Sequence, residues 1–161
     1  MAEPAIDRAA RIGDGFLSTG GIGHDLYLSG LAKAGKAPED GAIYAGHWGI
    51  VSDDPERELA VVGEHLLYQI NEYVAWGAFG PPGTVPPFAS PAAAVEHGMY
   101  ELWSVETAVE ELTRMLRAQP QVVDVHFWAQ FPGEPVAAGS RRLEVLARRV
   151  LPAVRARLEE D

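Results

Sequence analysis

Apolar positions in this chain follow two alternating spacings, which predict its elements. Ala5, Ala9 and Ile12 repeat at helical intervals, with Asp7, Arg8 and Arg11 off the stripe. Gly13 suits the left-handed end of that helix, Phe16 and Leu17 make a short strand, and residues 18–23 are too glycine-rich for regular structure. Asp25 is placed to cap a second helix through Lys33, closed by Gly35 and Pro38. Residues 42–51 read as a strand. Asp54 as N-cap and Pro55 in the first turn open a long helix ending near Gly77, with Leu59, Val62, Leu66, Ile70 and Val74 on one face. Ser104 caps a helix over 105–118 with Val109, Leu112 and Leu116 inward, and 122–131 is a further strand. Ser140 caps a last helix to about Leu158, with Leu143, Leu146, Ala147, Val150 and Val154 buried and Pro152 placed to bend it. Between the long helix and Ser104, residues 78–103 begin dense in proline and glycine. Phe79, Phe88, Tyr100 and Trp103 need burial there, so the stretch reads as an ordered insertion in a single domain covering 1–161.

Alternation of helices and strands means parallel strands joined by right-handed helical crossovers. Three strands are visible, and the pattern alone leaves a doubly wound sheet and a piece of a barrel open. The last strand favours the barrel. Val123, Val125, Phe127, Ala129 and Phe131 form an apolar side suited to a helical layer, and Asp124, His126, Trp128 and Gln130 form a polar side that a barrel interior near its mouth tolerates. The first helix and strand would ordinarily follow another strand, so the chain is expected to open in the middle of a βαβ repeat.

Composition narrows the function classes. The 161 residues are 47% hydrophobic and 22% charged, as in ordinary globular domains. A formal charge of −10 with no basic cluster excludes a nucleic-acid partner, because nothing would neutralise phosphates. No cysteine is present, which removes disulfides and thiolate metal sites and suits a cytoplasmic location. No apolar run approaches the roughly 18 residues of a membrane span.

Four segments, in order, resemble a known family. RAARIGDGFLSTGGIGHDLY (8–27) is similar to the region around the sixth strand of the luciferase-like monooxygenase superfamily of flavin- and deazaflavin-dependent oxidoreductases, and closest in wording to the coenzyme F-420 dehydrogenases of sugar phosphates. GHWGIVSDDPERE (46–58) with HLLYQINEYVAWG (65–77) resembles the seventh strand and helix, and VVDVHFWAQFPG (122–133) with LARRVLPAVRARL (146–158) resembles the eighth strand and terminal helix. The insertion falls where the family carries one. The implied fold is α/β, the C-terminal part (strands six to eight and their helices) of a (β/α)8 TIM barrel, whose complete members run to roughly twice this length. The resemblance implies hydride transfer with coenzyme F-420 or oxygen activation with reduced FMN on a small-molecule substrate. It also implies that this chain alone binds cofactor poorly and turns over little. The alternative is a non-catalytic half-barrel module that associates with itself as a homo-oligomer or with a complementary N-terminal half.

Site residues follow from the same comparison. Ala2 and Glu3 stand where the family's phosphate-binding glycines lead into a helix, so their backbone N–H groups would face a cofactor phosphate, although the Glu3 carboxylate opposes an anion. Thr19 and Gly20 occupy the ligand loop. Thr19 matches a position that holds a sugar phosphate, whereas the lysine expected three residues later is Ile22, which speaks against a phosphosugar. Thr19, Trp48, Trp128 and Gln130 are the expected substrate-pocket residues, and no catalytic residue is assigned. Asp14, between two glycines, reads as a turn residue. His47 and His126 lie on adjacent strands without a third ligand, so they read as barrel or core histidines and no metal is expected. His65, Tyr68 and Asn71 read as packing or a cap to the insertion. Arg141, Arg142, Arg148 and Arg149 read as a solvated helix face balanced by Glu144.

Overall fold

A computed structural model describes residues 3–19, 21–81 and 83–160. The elements are α1 (Glu3–Ile12), β1 (Phe16–Thr19), α2 (His24–Lys33), β2 (Ile43–Ser52), α3 (Pro55–Ala75), α4 (Pro91–Glu96), β3 (Glu101–Ser104), α5 (Val105–Ala118), β4 (Val122–Trp128) and α6 (Val136–Val145). A π-helical segment, Leu146–Val150, then joins α6 to α7 (Leu151–Glu159). The described residues fall into two compact units. One comprises residues up to His47 with Leu116–Phe127, and the other comprises Trp48–Met115 with the residues from Trp128 onward.

In the first unit β1 and the start of β2 pair in parallel, Phe16 with Ile43, Leu17 with Tyr44, Ser18 with Ala45 and Thr19 with Gly46. Side chains alternate across a strand. Phe16, Ser18, Ile43 and Ala45 therefore turn to one face, where Ile6, Ala10, Tyr27 and Leu31 of α1 and α2 complete a core. The opposite face is open: Leu17 is 64% and Tyr44 43% exposed. β4 pairs with β2. Gly23 caps α2 with φ 86° and no side-chain bond, and a Cβ there would also lie 2.8 Å from Ile6 Cδ1. The helix thus begins by backbone geometry and not with the Asp25 cap that the sequence suggests.

In the second unit the later part of β2 pairs with β3, Gly49 with Glu101 through Ser52 with Ser104. Gly49 is required there, since a Cβ would stand 2.2 Å from the Glu101 carbonyl oxygen. β3 is a fourth parallel strand inside the region read as an insertion. Its core joins Ile50, Val62, Leu66, Ile70, Ala94, Tyr100 and Phe131. The expected caps of α3 and α5 are present: Arg57 N–H donates to Asp54 Oδ1 at 3.1 Å and Thr107 N–H to Ser104 Oγ at 3.1 Å. Asn71 fastens the insertion to α3, donating to the Phe88 carbonyl at 3.0 Å and accepting from Phe88 N–H at 2.8 Å.

The last helix differs from expectation. It starts at Val136, so Ser140 lies inside it and not at its cap. Its buried positions are Ala138, Gly139, Arg142, Val150 and Val154, while Leu143 and Ala147 are exposed. The π-helical segment ends two residues before Pro152, whose missing N–H and ring clash disturb the preceding turn. Val123, expected under a helical layer, is also exposed.

Candidate functional site

The polar side of β4 bears Asp124, His126 and Trp128. In the first unit His126 lies across Gly46: a Cβ at Gly46 would stand 2.7 Å from His126 Nε2, 3.2 Å from its Cε1 and 3.0 Å from the Ser18 carbonyl oxygen. Gly46 thus cedes its side-chain volume to the imidazole. Thr19, its register partner on β1, is half-buried. Nδ1 of His126 stands 3.4 Å from Asp124 Oδ1, and both side chains remain accessible to solvent. His47, one position beyond Gly46, faces the other way and stacks on Phe127 with centroids 5.2 Å apart. The two histidines therefore do not form a pair, and among the described residues no group of three His, Cys, Asp or Glu could hold a metal ion.

Beneath the loop that follows β1 lies a buried relay that the sequence did not reveal. Ser18 Oγ–H donates to His24 Nε2 at 2.6 Å, and His24 Nδ1–H donates to Gln119 Oε1. Ser18 and His24 are 1% and 2% exposed, so no substrate reaches them. Their role is to pin the two ends of the glycine-rich loop that starts at Thr19.

In the second unit Trp48 and Trp128 meet with centroids 5.2 Å apart, and Trp48 also contacts Tyr73 at 4.9 Å and Tyr100 at 6.0 Å. Trp128 is 41% exposed, so this cluster presents an aromatic wall. Tyr100 O–H is shared between the Leu66 carbonyl and Gln69 Oε1, and burial, with a smaller contribution from Tyr73, raises its pKa above the ordinary phenol value. Gln130 follows β4, where a Cβ on Gly139 would meet its own Cβ at 3.0 Å, so its stem lies against α6.

Arg142 reaches the same cluster through Phe131, which packs on Tyr100. The arginine is 2% exposed, contrary to the solvated face expected of it. Nε donates to the Ala129 carbonyl at 2.9 Å, Nη1 to Glu58 at 2.7 Å and Nη2 to Glu134, while the guanidinium lies 5.2 Å from the centre of the Phe131 ring. Glu134 Oε1 also accepts from Phe131 N–H at 2.7 Å. The network ties the segment after β4 to the first turn of α3. Arg148, by contrast, pairs with Glu144 on the surface as expected.

Of the expected site residues, Trp48 and Trp128 are in contact, and Gln130 belongs to the same unit. Thr19 belongs to the other unit, beside Gly46 and His126. Ala2 and Gly20 lie outside the described residues. Glu3 is the first residue of α1 and is exposed.

No family model matches the chain, and no curated protein matches it. Solved structures do. A monooxygenase from Streptomyces bottropensis superposes on 94% of this chain and 45% of its own, with TM-score 0.60 and 16% identity. An F-420-dependent secondary alcohol dehydrogenase, solved with an F-420–acetone adduct, superposes on 96% of this chain and 47% of its own, with TM-score 0.59 and 16% identity. The fold, helices on a parallel sheet, is similar to part of these luciferase-like TIM-barrel enzymes. A third luciferase-like neighbour, the oxygenating constituent of 3,6-diketocamphane monooxygenase from the CAM plasmid of Pseudomonas putida, was solved with FMN and gives TM-score 0.57 at 16% identity over 94% of this chain and 46% of its own. The chain spans less than half the length of these luciferase-like structures.

The described residues only partly fit such a cofactor. Trp48 and Trp128 offer a flat apolar wall suited to a ring system. For a phosphate, Glu3 places a carboxylate at the helix end where an anion would sit, and Ile22 provides no cation. The phosphate end of a flavin does not fit these residues.

Proposed function

We infer that this chain forms the C-terminal wall, strands six to eight, of a luciferase-like oxidoreductase, with β1, β2 and β4 as those strands and β3 belonging to the insertion. A complementary N-terminal half supplies the remaining barrel and the groups that hold FMN or coenzyme F-420. In this reading Thr19 of the first unit and Trp48, Trp128 and Gln130 of the second each serve the substrate and not the phosphate end of the cofactor.

The observation that carries this reading is the open sheet face. Leu17 and Tyr44 are large apolar residues, side by side in register and both exposed. Parallel sheets are normally covered on both faces. A surface of this kind in a chain with the fold of part of a barrel supports completion by the missing strands.

Fluorescence titration with FMN and with coenzyme F-420 tests the reading, first on the chain alone and then with an N-terminal half-barrel taken from an intact luciferase-like enzyme. Cofactor should be retained through gel filtration only when both halves are present. Stoichiometric cofactor on the chain alone, or no retention by the mixed halves, would overturn it.

A further inference from the structure

We propose that His126, oriented by Asp124, and Thr19 together recognise a hydroxyl or carbonyl group of an uncharged ligand, and that Asp124 turns phosphorylated compounds away. The proposal rests on the reading of this sheet face as the pocket side of a barrel.

Three features build the site. First, the imidazole is not merely exposed; it occupies space that β2 leaves vacant at Gly46, with its Nε2 edge nearest the position a side chain would fill. A ring placed in this way has a defined edge to present to a ligand. Second, the two nitrogens are differentiated. Asp124 Oδ1 stands 3.4 Å from Nδ1, so its negative charge favours the proton on that nitrogen, and Nε2 is then the nitrogen whose lone pair can accept a hydrogen bond from a ligand. Third, register brings in Thr19, because Thr19 and Gly46 are direct partners between β1 and β2. The Thr19 hydroxyl both donates and accepts. A ligand hydroxyl can therefore donate to His126 Nε2 while accepting from Thr19, and a ligand carbonyl can accept from Thr19 O–H.

Charge decides the ligand class. Thr19, Asp124 and His126 bring no cation to this position, and Tyr44, on the same face of β2, is a neutral phenol. A phosphate dianion would meet the Asp124 carboxylate without a cation to pair with, on a chain whose formal charge is already −10. The expectation that Ile22 speaks against a phosphosugar thus gains a structural counterpart on β4. Neutral alcohols, ketones and unphosphorylated sugars meet no such opposition.

The test uses the cofactor-free chain, labelled with nitrogen-15 in histidine and carbon-13 in threonine methyls, and two probes that share one body, cyclohexanol and cyclohexyl phosphate. Long-range nitrogen–proton spectra should show His126 as the Nδ1–H tautomer. Cyclohexanol should shift both the His126 Nε2 and Thr19 methyl signals, and cyclohexyl phosphate at equal concentration should shift neither. Thr19→Val should weaken the cyclohexanol response at least fivefold. Asp124→Asn, at a solvent-accessible position, should let cyclohexyl phosphate perturb His126. An Nε2–H tautomer, a response to the phosphate in the unaltered chain, or no response to cyclohexanol would each overturn the proposal. The barrel reading would stand in all three cases, because it is tested by cofactor retention and not by these signals.

Discussion

Replacing Arg142 by Met removes one cation from between two carboxylates, and the structure sets the scale of the result. The guanidinium is buried, gives three hydrogen bonds, and faces a Glu134 side chain with no solvent exposure. Breaking a buried ion pair from one side leaves an uncompensated charge and costs about 3–5 kcal/mol. The Ala129 carbonyl also loses its donor, a loss of about 1 kcal/mol or more. Against the roughly 5–15 kcal/mol that stabilises a typical domain, the variant should stand near the limit of folding. With a urea slope of about 1–3 kcal/mol per molar, a loss of ~3 kcal/mol lowers the midpoint by about 1–3 M, read by circular dichroism. Arg142→Met combined with Glu134→Gln should recover part of that loss. The amide oxygen can still accept from Phe131 N–H, and one buried negative charge has gone. A midpoint for Arg142→Met within about 0.3 M of the parent would refute the buried clamp. A double variant weaker than the single one would refute the charge argument.

Other substitutions probe the remaining contacts. Gly46→Ala should destabilise by about 1–3 kcal/mol and displace the His126 ring, because the new methyl has 2.7 Å to Nε2; urea melting and the His126 resonances report both effects. His24→Ala leaves the buried Ser18 hydroxyl without its acceptor, a loss of about 1–3 kcal/mol, and limited proteolysis should cleave at residues 19–23 before any other site. Asn71→Ala removes both bonds to Phe88 and should expose residues 78–90 to protease while changing the urea midpoint little; equal cleavage of parent and variant would show that the insertion is held elsewhere.

Much of the fold was legible because it is written locally. The helical stripe of α3, the Asp54 and Ser104 caps and the short β1 all follow from residues within one or two turns of each other, whereas α1 turns Ile6 and Ala10 inward and leaves Ala5 and Ile12 exposed, contrary to the expected stripe of Ala5, Ala9 and Ile12. What escaped depends on distant partners. β3 has only four residues, none of them fully buried, and exists because Gly49 lets the Glu101 backbone approach; no alternation marks it. Arg142 sits in a run of arginines that reads as a charged surface, and its partner Glu58 lies 84 positions away in sequence. The sequence points to a start of α6 at Ser140, the best capping residue in that stretch, whereas the actual N-cap, Pro135, contributes no side-chain bond. For the candidate site, alternation along β4 accounts for two contacts, each within its own unit: His126 with Gly46 in the first and Trp128 with Trp48 in the second. The Ser18–His24–Gln119 relay left no pattern, since its members combine a strand end, a helix start and a turn 95 residues away.

The central claim is that the face of β1 and β2 carrying Leu17 and Tyr44 is open in this chain and becomes covered when a barrel is completed. Hydroxyl-radical footprinting of the monomeric fraction, read by mass spectrometry, measures that directly. The account predicts strong modification of Leu17 and Tyr44 in the chain alone and protection of both on addition of an N-terminal half-barrel. Protection of both residues in the isolated monomer, or undiminished modification at saturating N-terminal half, would contradict it.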